Sequence, residues 1–483
     1  MTIEQFIFDH AQNAPQKVAL IQGAVEVTYK QLWDEIEMAA AWFCQHANRG
    51  ERVVVSASKD IGFLYTYFGA HMAGMVCVPI DPETNETRLA RIVEVAEPRL
   101  MIGELRHRGE HELIPFEEIK AEKKNNLTFP VETDVADLLF TTGTTGQPKG
   151  VALTYANQMA AAENINTFIK NNDDDVELLA LPISHSFGLG RIRCVLTKGA
   201  TLVLLGSFAS MKKFYGEMNR CKVTGFGMVP ASWAYIQKMS GERIAQFADQ
   251  LRYIEIGSAF MSLENKQRLM SLLPKTRICM HYGLTEASRS AFISFHDDTQ
   301  HLMSVGKPSP NTEIAVFNDK GEMLGKSPCD NCALTPDGEI CVKGNHVCAD
   351  YWGMSRDEFK KDFYDEYFRT GDWGHIDDEG YVYLISRKKE IINVGGKKVS
   401  PIEVEEQLNK IDGIQESACI GVHDDVLGEA VKAYCVCTKE IDFDEVKKIL
   451  TKKLENYKIP AYFEQTDHLP KTASGKMQRL LLK

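Results

Sequence analysis

The run Thr141-Thr142-Gly143-Thr144-Thr145-Gly146-Gln147-Pro148-Lys149-Gly150 follows directly on the mostly apolar Val135–Phe140. Glycines, threonine hydroxyls and a lysine after a strand supply backbone N–H donors, side-chain O–H donors and one positive charge, the ingredients of an anion cradle. Phosphate is the natural guest. A Walker loop does not fit, because the fifth residue after Gly143 is Pro148 and Gly150 follows Lys149. A turn-rich surface loop is the plainer alternative.

Three further stretches carry chemistry. In His281-Tyr282-Gly283-Leu284-Thr285-Glu286-Ala287-Ser288 a tyrosine ring can stack on a purine, a threonine hydroxyl can reach a phosphate oxygen, and a carboxylate can hold Mg²⁺. Asp372, in Phe368-Arg369-Thr370-Gly371-Asp372-Trp373-Gly374, can accept from both hydroxyls of a ribose, while Arg387 can brace ribose and phosphate. Near the end, Leu469-Pro470-Lys471-Thr472-Ala473-Ser474-Gly475-Lys476 presents lysines that a frayed basic tail would also explain.

Together and in this order the motifs resemble those of the adenylate-forming enzymes: acyl-CoA synthetases, adenylation domains of peptide synthetases, and luciferases. The look is closest to the acyl-CoA ligases. The resemblance implies ATP binding by Thr141, Thr142, Gly143, Thr144, Thr145, Gly146, Lys149, Gly257, Ser258, Ala259, Tyr282, Gly283, Thr285, Asp372, Arg387 and Lys476. It implies Mg²⁺ on Glu286 and Thr145, and catalytic roles for Lys476, Thr145, Glu286 and His185. Lys389 falls at the family's hinge, and Gly395-Gly396 at the loop that admits the thiol. An aromatic or histidine segment bordering the acyl tunnel corresponds to Ile183-Ser184-His185-Ser186-Phe187-Gly188-Leu189, with Phe187, Met228, Ala231 and Ser288 shaping the pocket.

The elements that must position these residues read as α/β. The implied architecture is a large N-terminal domain of helix-flanked sheets with a small β-rich subdomain, residues 1–388, and a small mobile α+β C-terminal domain, residues 389–483. Expected buried strands are Arg52–Ser56, 75–80, Val135–Phe140, 178–182, 201–205, 225–229, Tyr253–Ile256 and 277–280. The window Ile61 to Ile80 lacks Asp, Glu, Lys and Arg and is long enough to span a bilayer. His71, Pro79 and three glycines instead predict a buried helix ended near Gly74, then a strand. The C-terminal part reads helix 402–409, strands 416–422 and 431–437, helix 444–454, and a plain hairpin turn is the simplest form for Gly395-Gly396.

At 483 residues the chain exceeds what one core usually serves, and a net charge of -12 argues against a broad hold on nucleic acid or anionic lipid. The opening Met1-Thr2-Ile3-Glu4-Gln5 has no basic, apolar signal pattern, and twelve scattered cysteines predict reduced thiols in the cytoplasm. Cys329 and Cys332 have the gap that zinc sites favour, but Cys341 lies in a strand-like run and Cys348 at an ordinary packing position of the family, so no metal is expected there.

Arg191 and Arg193 depart from a helix that is nearly apolar in the family. Each must meet a carboxylate or reach water, and solvated surface positions are the default. The sharper reading sets Arg191, with Arg289, against a polar or acidic end of the substrate. The implied activity is activation of a small carboxylic acid to an acyl-AMP, then transfer to a thiol. Coenzyme A is the first acceptor, placing the chain in fatty-acid or related acid metabolism; the phosphopantetheine of a separate carrier protein is the second. Nucleotide binding without catalysis is the alternative from another class.

Overall fold

The computed structural model describes residues 1–109, 111–123, 128–141, 148–329, 332–471 and 477–482. Contacts divide the chain into two units, Met1–Glu313 with Val342–Glu366, and Ile314–Cys341 with Tyr367–Lys483.

The first unit is built on two sheets. One runs in the order Lys307–Pro308, Ala291–Ser294, Arg277–Tyr282, Tyr253–Ile256, Gly225–Met228, Val176–Leu179, Thr201–Leu204, Val18–Gln22, Val25–Thr28. Its strands from Arg277–Tyr282 to Val18–Gln22 are mutually parallel, and antiparallel strands flank them. Tyr253–Ile256 and Gly225–Met228 are buried throughout, as strands covered on both faces must be. Phe214, Phe226, Trp233, Ile254 and Ile278 share the core on this sheet. The strand expected at 178–182 occupies Val176–Leu179, stopping before Pro182, which has no N–H to give a ladder.

The other sheet runs Asp350–Tyr351, Gly150–Thr154, Val135–Phe140, Val76–Ile80, Arg52–Ser56, Leu100–Ile102. The apolar window resolves into the helix Ile61–Met72 and the strand Val76–Ile80, with Gly74 at φ +77 between them. A Thr154 capping box with Asn157 starts the helix Tyr155–Ile169 where the strand Gly150–Thr154 stops. Among the described residues no helix is long and apolar enough to cross a membrane.

The second unit contains the strands Met323–Ser327, Tyr367–Ile376 and Val382–Arg387, and a C-terminal sheet. That sheet orders Lys397–Val399, Ile392–Val394, Gly428–Cys437 and Ile414–Asp424, with Tyr462–Gln465 beside Gly428–Cys437. Helices Pro401–Leu408 and Phe443–Leu450 pack Val404, Leu408, Val446 and Leu450 into its core. Helices, strands and hairpin fall where the sequence places them, to within a few residues at the ends.

Candidate active site

In the first unit the chemistry-bearing segments gather at the carboxyl ends of neighbouring parallel strands, where open α/β sheets bind ligands. Tyr253–Ile256 delivers Gly257, Ser258 and Ala259; Arg277–Tyr282 delivers Tyr282 and Gly283. Ser258 holds φ +75, a left-handed conformation. Gly257 has no room for a side chain, because a Cβ there would lie 2.1 Å from the His281 ring. Beyond Tyr282 the chain turns tightly, with Leu284 and Ala287 exchanging N–H···O bonds of 3.1 and 3.2 Å, and Thr285 and Glu286 sit at the tip.

Glu286 is held at both ends. Its carbonyl accepts from Cys348 N–H at 2.7 Å, and its carboxylate accepts from Tyr351 O–H at 2.9 Å. The same Tyr351 ring lies 4.3 Å from Lys149 Nζ, a cation–π contact. Tyr351 thus joins the Glu286 loop to the far end of the glycine-rich run. Sequence reasoning missed it, because 65 residues separate the pair and nothing in the local pattern marks Tyr351.

The hairpin of Val135–Phe140 with Gly150–Thr154 brings the two ends of that run together: Phe140 pairs with Gly150, and Thr141 N–H donates to Lys149 O at 3.2 Å. Thr142, Gly143, Thr144, Thr145 and Gly146 lie outside the described residues, as does Lys476. A carboxylate oriented by a hydroxyl, with an amine across the same ring, is a donor set that suits Mg²⁺ and a polyphosphate.

On the acid side, His185 precedes the helix Ser186–Lys198 and is exposed, whereas Phe187 is buried. A Cβ on Gly227 would lie 3.3 Å from the Phe187 ring, so the neighbourhood of Met228 abuts Phe187. Met228 itself is buried and Ala231 exposed. Ser288 lines a cavity of about 20 Å³ with Gln158, Ser186, Gly190 and Arg289.

The arginines correct the expectation of solvated surface positions. Arg191 and Arg193 are buried. Arg191 Nε donates to Glu177 at 2.7 Å, and the guanidinium also reaches Glu255 at 3.1 Å and Asn171 at 3.2 Å. Arg193 donates to Asp137 and to Tyr67. Of the two expected ways to satisfy each charge, a carboxylate or water, both arginines take the carboxylate, and the guanidinium of Arg191 is engaged by protein side chains. Arg289 is buried too, donating to Glu255 at 3.1 Å, Ser186 O at 2.7 Å and Phe187 O at 2.9 Å. Burial opposes the charge on Glu255, yet Arg289, His281 and Arg191 outweigh it and hold the carboxyl below the usual range.

In the second unit, Asp372 and Arg387 face each other across paired strands, Nε to Oδ1 at 2.9 Å, and Arg387 also donates to Thr370 O at 2.8 Å. Lys389 lies in the single 3-10 turn Lys388–Glu390. Gly395 and Gly396 form the hairpin turn between Ile392–Val394 and Lys397–Val399 with φ +57 and +82, a pairing that glycine accepts without strain. Cys329 and Cys332 correct the expectation of reduced thiols: they form a disulfide across a Cα separation of 5.4 Å. Cys341 is buried in the strand Gly338–Gly344 and Cys348 is buried in the first unit.

A strand-end site of this composition, on this fold, defines a class. The chain belongs to the AMP-binding enzyme family, whose model matches residues 7–352, with the family's C-terminal domain matching residues 403–476. It is an AMP-forming acid–thiol ligase. Among its relatives are a long-chain-fatty-acid–CoA ligase of Bacillus subtilis, 28% identical over 99% of this chain and 93% of the relative, and a 2-succinylbenzoate–CoA ligase of Bacillus velezensis, 27% identical over 98% and 96%. Among solved structures, the o-succinylbenzoate CoA synthetase MenE of Bacillus subtilis with its acyl-adenylate intermediate is 26% identical at a TM-score of 0.88, covering 99% of this chain and 97% of that one. ATP-bound MatB of Rhodopseudomonas palustris matches at 26% identity and TM-score 0.88, covering 100% and 98%.

Proposed function

We propose that this chain activates an organic acid with ATP and Mg²⁺ to an acyl adenylate and passes the acyl group to coenzyme A. The observation that carries the reading is the Glu286–Tyr351–Lys149 constellation beside the strand ends bearing Gly257 and Tyr282. The relatives' full-length match, and their names as CoA ligases, support the acceptor.

Bringing a carboxylate to the α-phosphate sets two anions against each other, so the task is orientation and charge stabilisation rather than proton removal. Mg²⁺, when bound, offsets polyphosphate charge. Glu286, with Thr145, would hold it, and Tyr351 orients the Glu286 carboxylate. Lys149, Thr141 and the residues to Gly146 would line the phosphates. Tyr282, with the Gly257–Ala259 backbone, would cover adenine. Thr285 would reach a phosphate oxygen, Asp372 the ribose hydroxyls, and Arg387 ribose and α-phosphate. Lys476 would meet both the acid carboxylate and the α-phosphate. Phe187, Met228 and Ser288 would bound the acid near His185. We assign Lys389 as hinge of a C-terminal domain over residues 389–483, and Gly395-Gly396 as the passage for the thiol arm. ATP and coenzyme A are cytoplasmic pools, which supports action there.

The test is an acid library with ATP, Mg²⁺ and hydroxylamine, scored for hydroxamate, followed by thioester assays with coenzyme A and with purified carrier proteins. Acid-dependent hydroxamate and turnover with coenzyme A are expected. Turnover with carrier proteins alone would replace the acceptor, and tight ATP binding without turnover of any acid would overturn the enzyme reading.

A further inference from the structure

Glu255 is the node of a buried charge cluster that ties together three segments assigned above. It sits two residues before Gly257, and its carboxylate meets Arg191, Arg289 and His281. The His281 approach, Nδ1 to Oε1 at 2.7 Å, falls outside hydrogen-bond angles. Arg191 is shared with Glu177, which also accepts from Tyr253 O–H at 2.6 Å. Two carboxylates and two guanidiniums balance, and burial together with the arginines pushes His281 below its ordinary value despite Glu255. Well-packed apolar side chains would stabilise such a core as well as buried ion pairs do, so stability alone does not account for the arrangement.

Its geometry points outward to the site. Arg289 follows Ser288, and its guanidinium reaches the first two carbonyls of the helix Ser186–Lys198 while its Nε is held by Glu255. It also lies 4.8 Å over the Phe187 ring, against which His281 packs edge-on at 4.6 Å. Two glycines make room for it: a Cβ on Gly190 would lie 2.7 Å from Nη1, and one on Gly283 would lie 2.5 Å from the Arg289 backbone nitrogen. Arg289 itself takes φ +59, where a non-glycine residue is strained.

Resting on the function proposed above, we infer that Arg289 is a positioning residue for acid activation: anchored on Glu255, it fixes the start of the helix and hence Phe187 against the strands that carry Gly257 and Tyr282. The guanidinium fork matters more than its charge, because Glu255, Ser288 Oγ and the carbonyls of Ser186 and Phe187 must all be met at once.

Acid-dependent ATP–pyrophosphate exchange by the full chain, with an acid taken from the library screen, tests this in Arg289→Lys and Gly190→Ala. The lysine keeps the charge and loses the fork. The alanine keeps the arginine but forces its guanidinium to shift, since a Cβ at Gly190 would lie 2.7 Å from Nη1, and it adds helix propensity that offsets part of the cost. The expected result is an acid KM raised about tenfold in each folded variant, as for a pocket wall displaced by a fraction of an ångström, with the MgATP KM within about twofold. An unchanged acid KM in folded Gly190→Ala, or both KM values moving together, overturns the inference. A wild-type chain that exchanges normally beside such variants loses only the clamp; a wild type with no acid-dependent exchange loses the function as well.

Discussion

A single hydroxyl sets the direction of the proposed metal-binding carboxylate. Tyr351 donates to Glu286 while its ring faces Lys149, so Tyr351→Phe removes the donor and keeps the ring. A hydrogen bond to a charged acceptor is worth about 1.5 kcal/mol, which corresponds to a kcat/KM for MgATP lower by about tenfold. Steady-state kinetics at varied MgATP checks it, and an unaltered kcat/KM would show that Glu286 is oriented by other contacts. Residues of this kind were the least legible from sequence. The motif order pointed to Glu286, but its partner lies on a two-residue strand far along the chain. The arginines repeat the point: sequence offered Arg191 and Arg193 a carboxylate or water, yet could not name Glu255 and Asp137, inside strands otherwise read as apolar, or Glu177, just ahead of the strand expected at 178–182.

Elements were far more legible, because a strand covered on both faces or a helix with a capping box declares itself within a few residues. Val135–Phe140, Arg52–Ser56 and Tyr253–Ile256 match expectation end to end. The C-terminal segment was less so, since a chain end with several lysines reads as a tail. Its described parts are tied down: Lys471 bridges Met477, and Gln478 N–H donates to Pro470 O at 2.9 Å. Arg479 then forks onto Glu405 at 2.9 and 2.7 Å and reaches Glu390 at 2.8 Å. Those bonds hold the flank of the segment carrying Lys476 to the helix Pro401–Leu408. Arg479→Ala leaves Glu405 without its main partner, at a cost of about 2–3 kcal/mol. Expected are a lower unfolding midpoint for the C-terminal domain and slower hydroxamate formation. Added acyl adenylate should still be consumed at a rate close to wild type. Proteolysis and the two half-reaction assays read these directly, and an unchanged hydroxamate rate would detach Arg479 from the work of Lys476.

At the scale of the whole molecule, length and motif order conveyed the family, because separated motifs in a fixed order constrain a chain far more than any one of them. What motif order leaves open is whether one C-terminal domain serves both of the proposed half-reactions. On the roles proposed above, Lys476 would serve adenylate formation, where a positive group must meet both anions, and Gly395-Gly396 thiol attack, where a narrow passage is needed. Lys476→Ala should therefore lower pyrophosphate exchange by about 100-fold, the usual loss when one charge-stabilising donor is removed. Thioester formation from added acyl adenylate should stay within about threefold. Gly396→Trp should do the opposite. Gly396 is exposed at φ +82, and a Cβ there would meet no atom within 4 Å, so the indole strains one turn and leaves the core intact while narrowing the passage. Stopped-flow assays of each half-reaction separate the two variants. If either one slows both steps equally, the division of labour within residues 389–483 is wrong, and the two steps share one arrangement of catalytic groups.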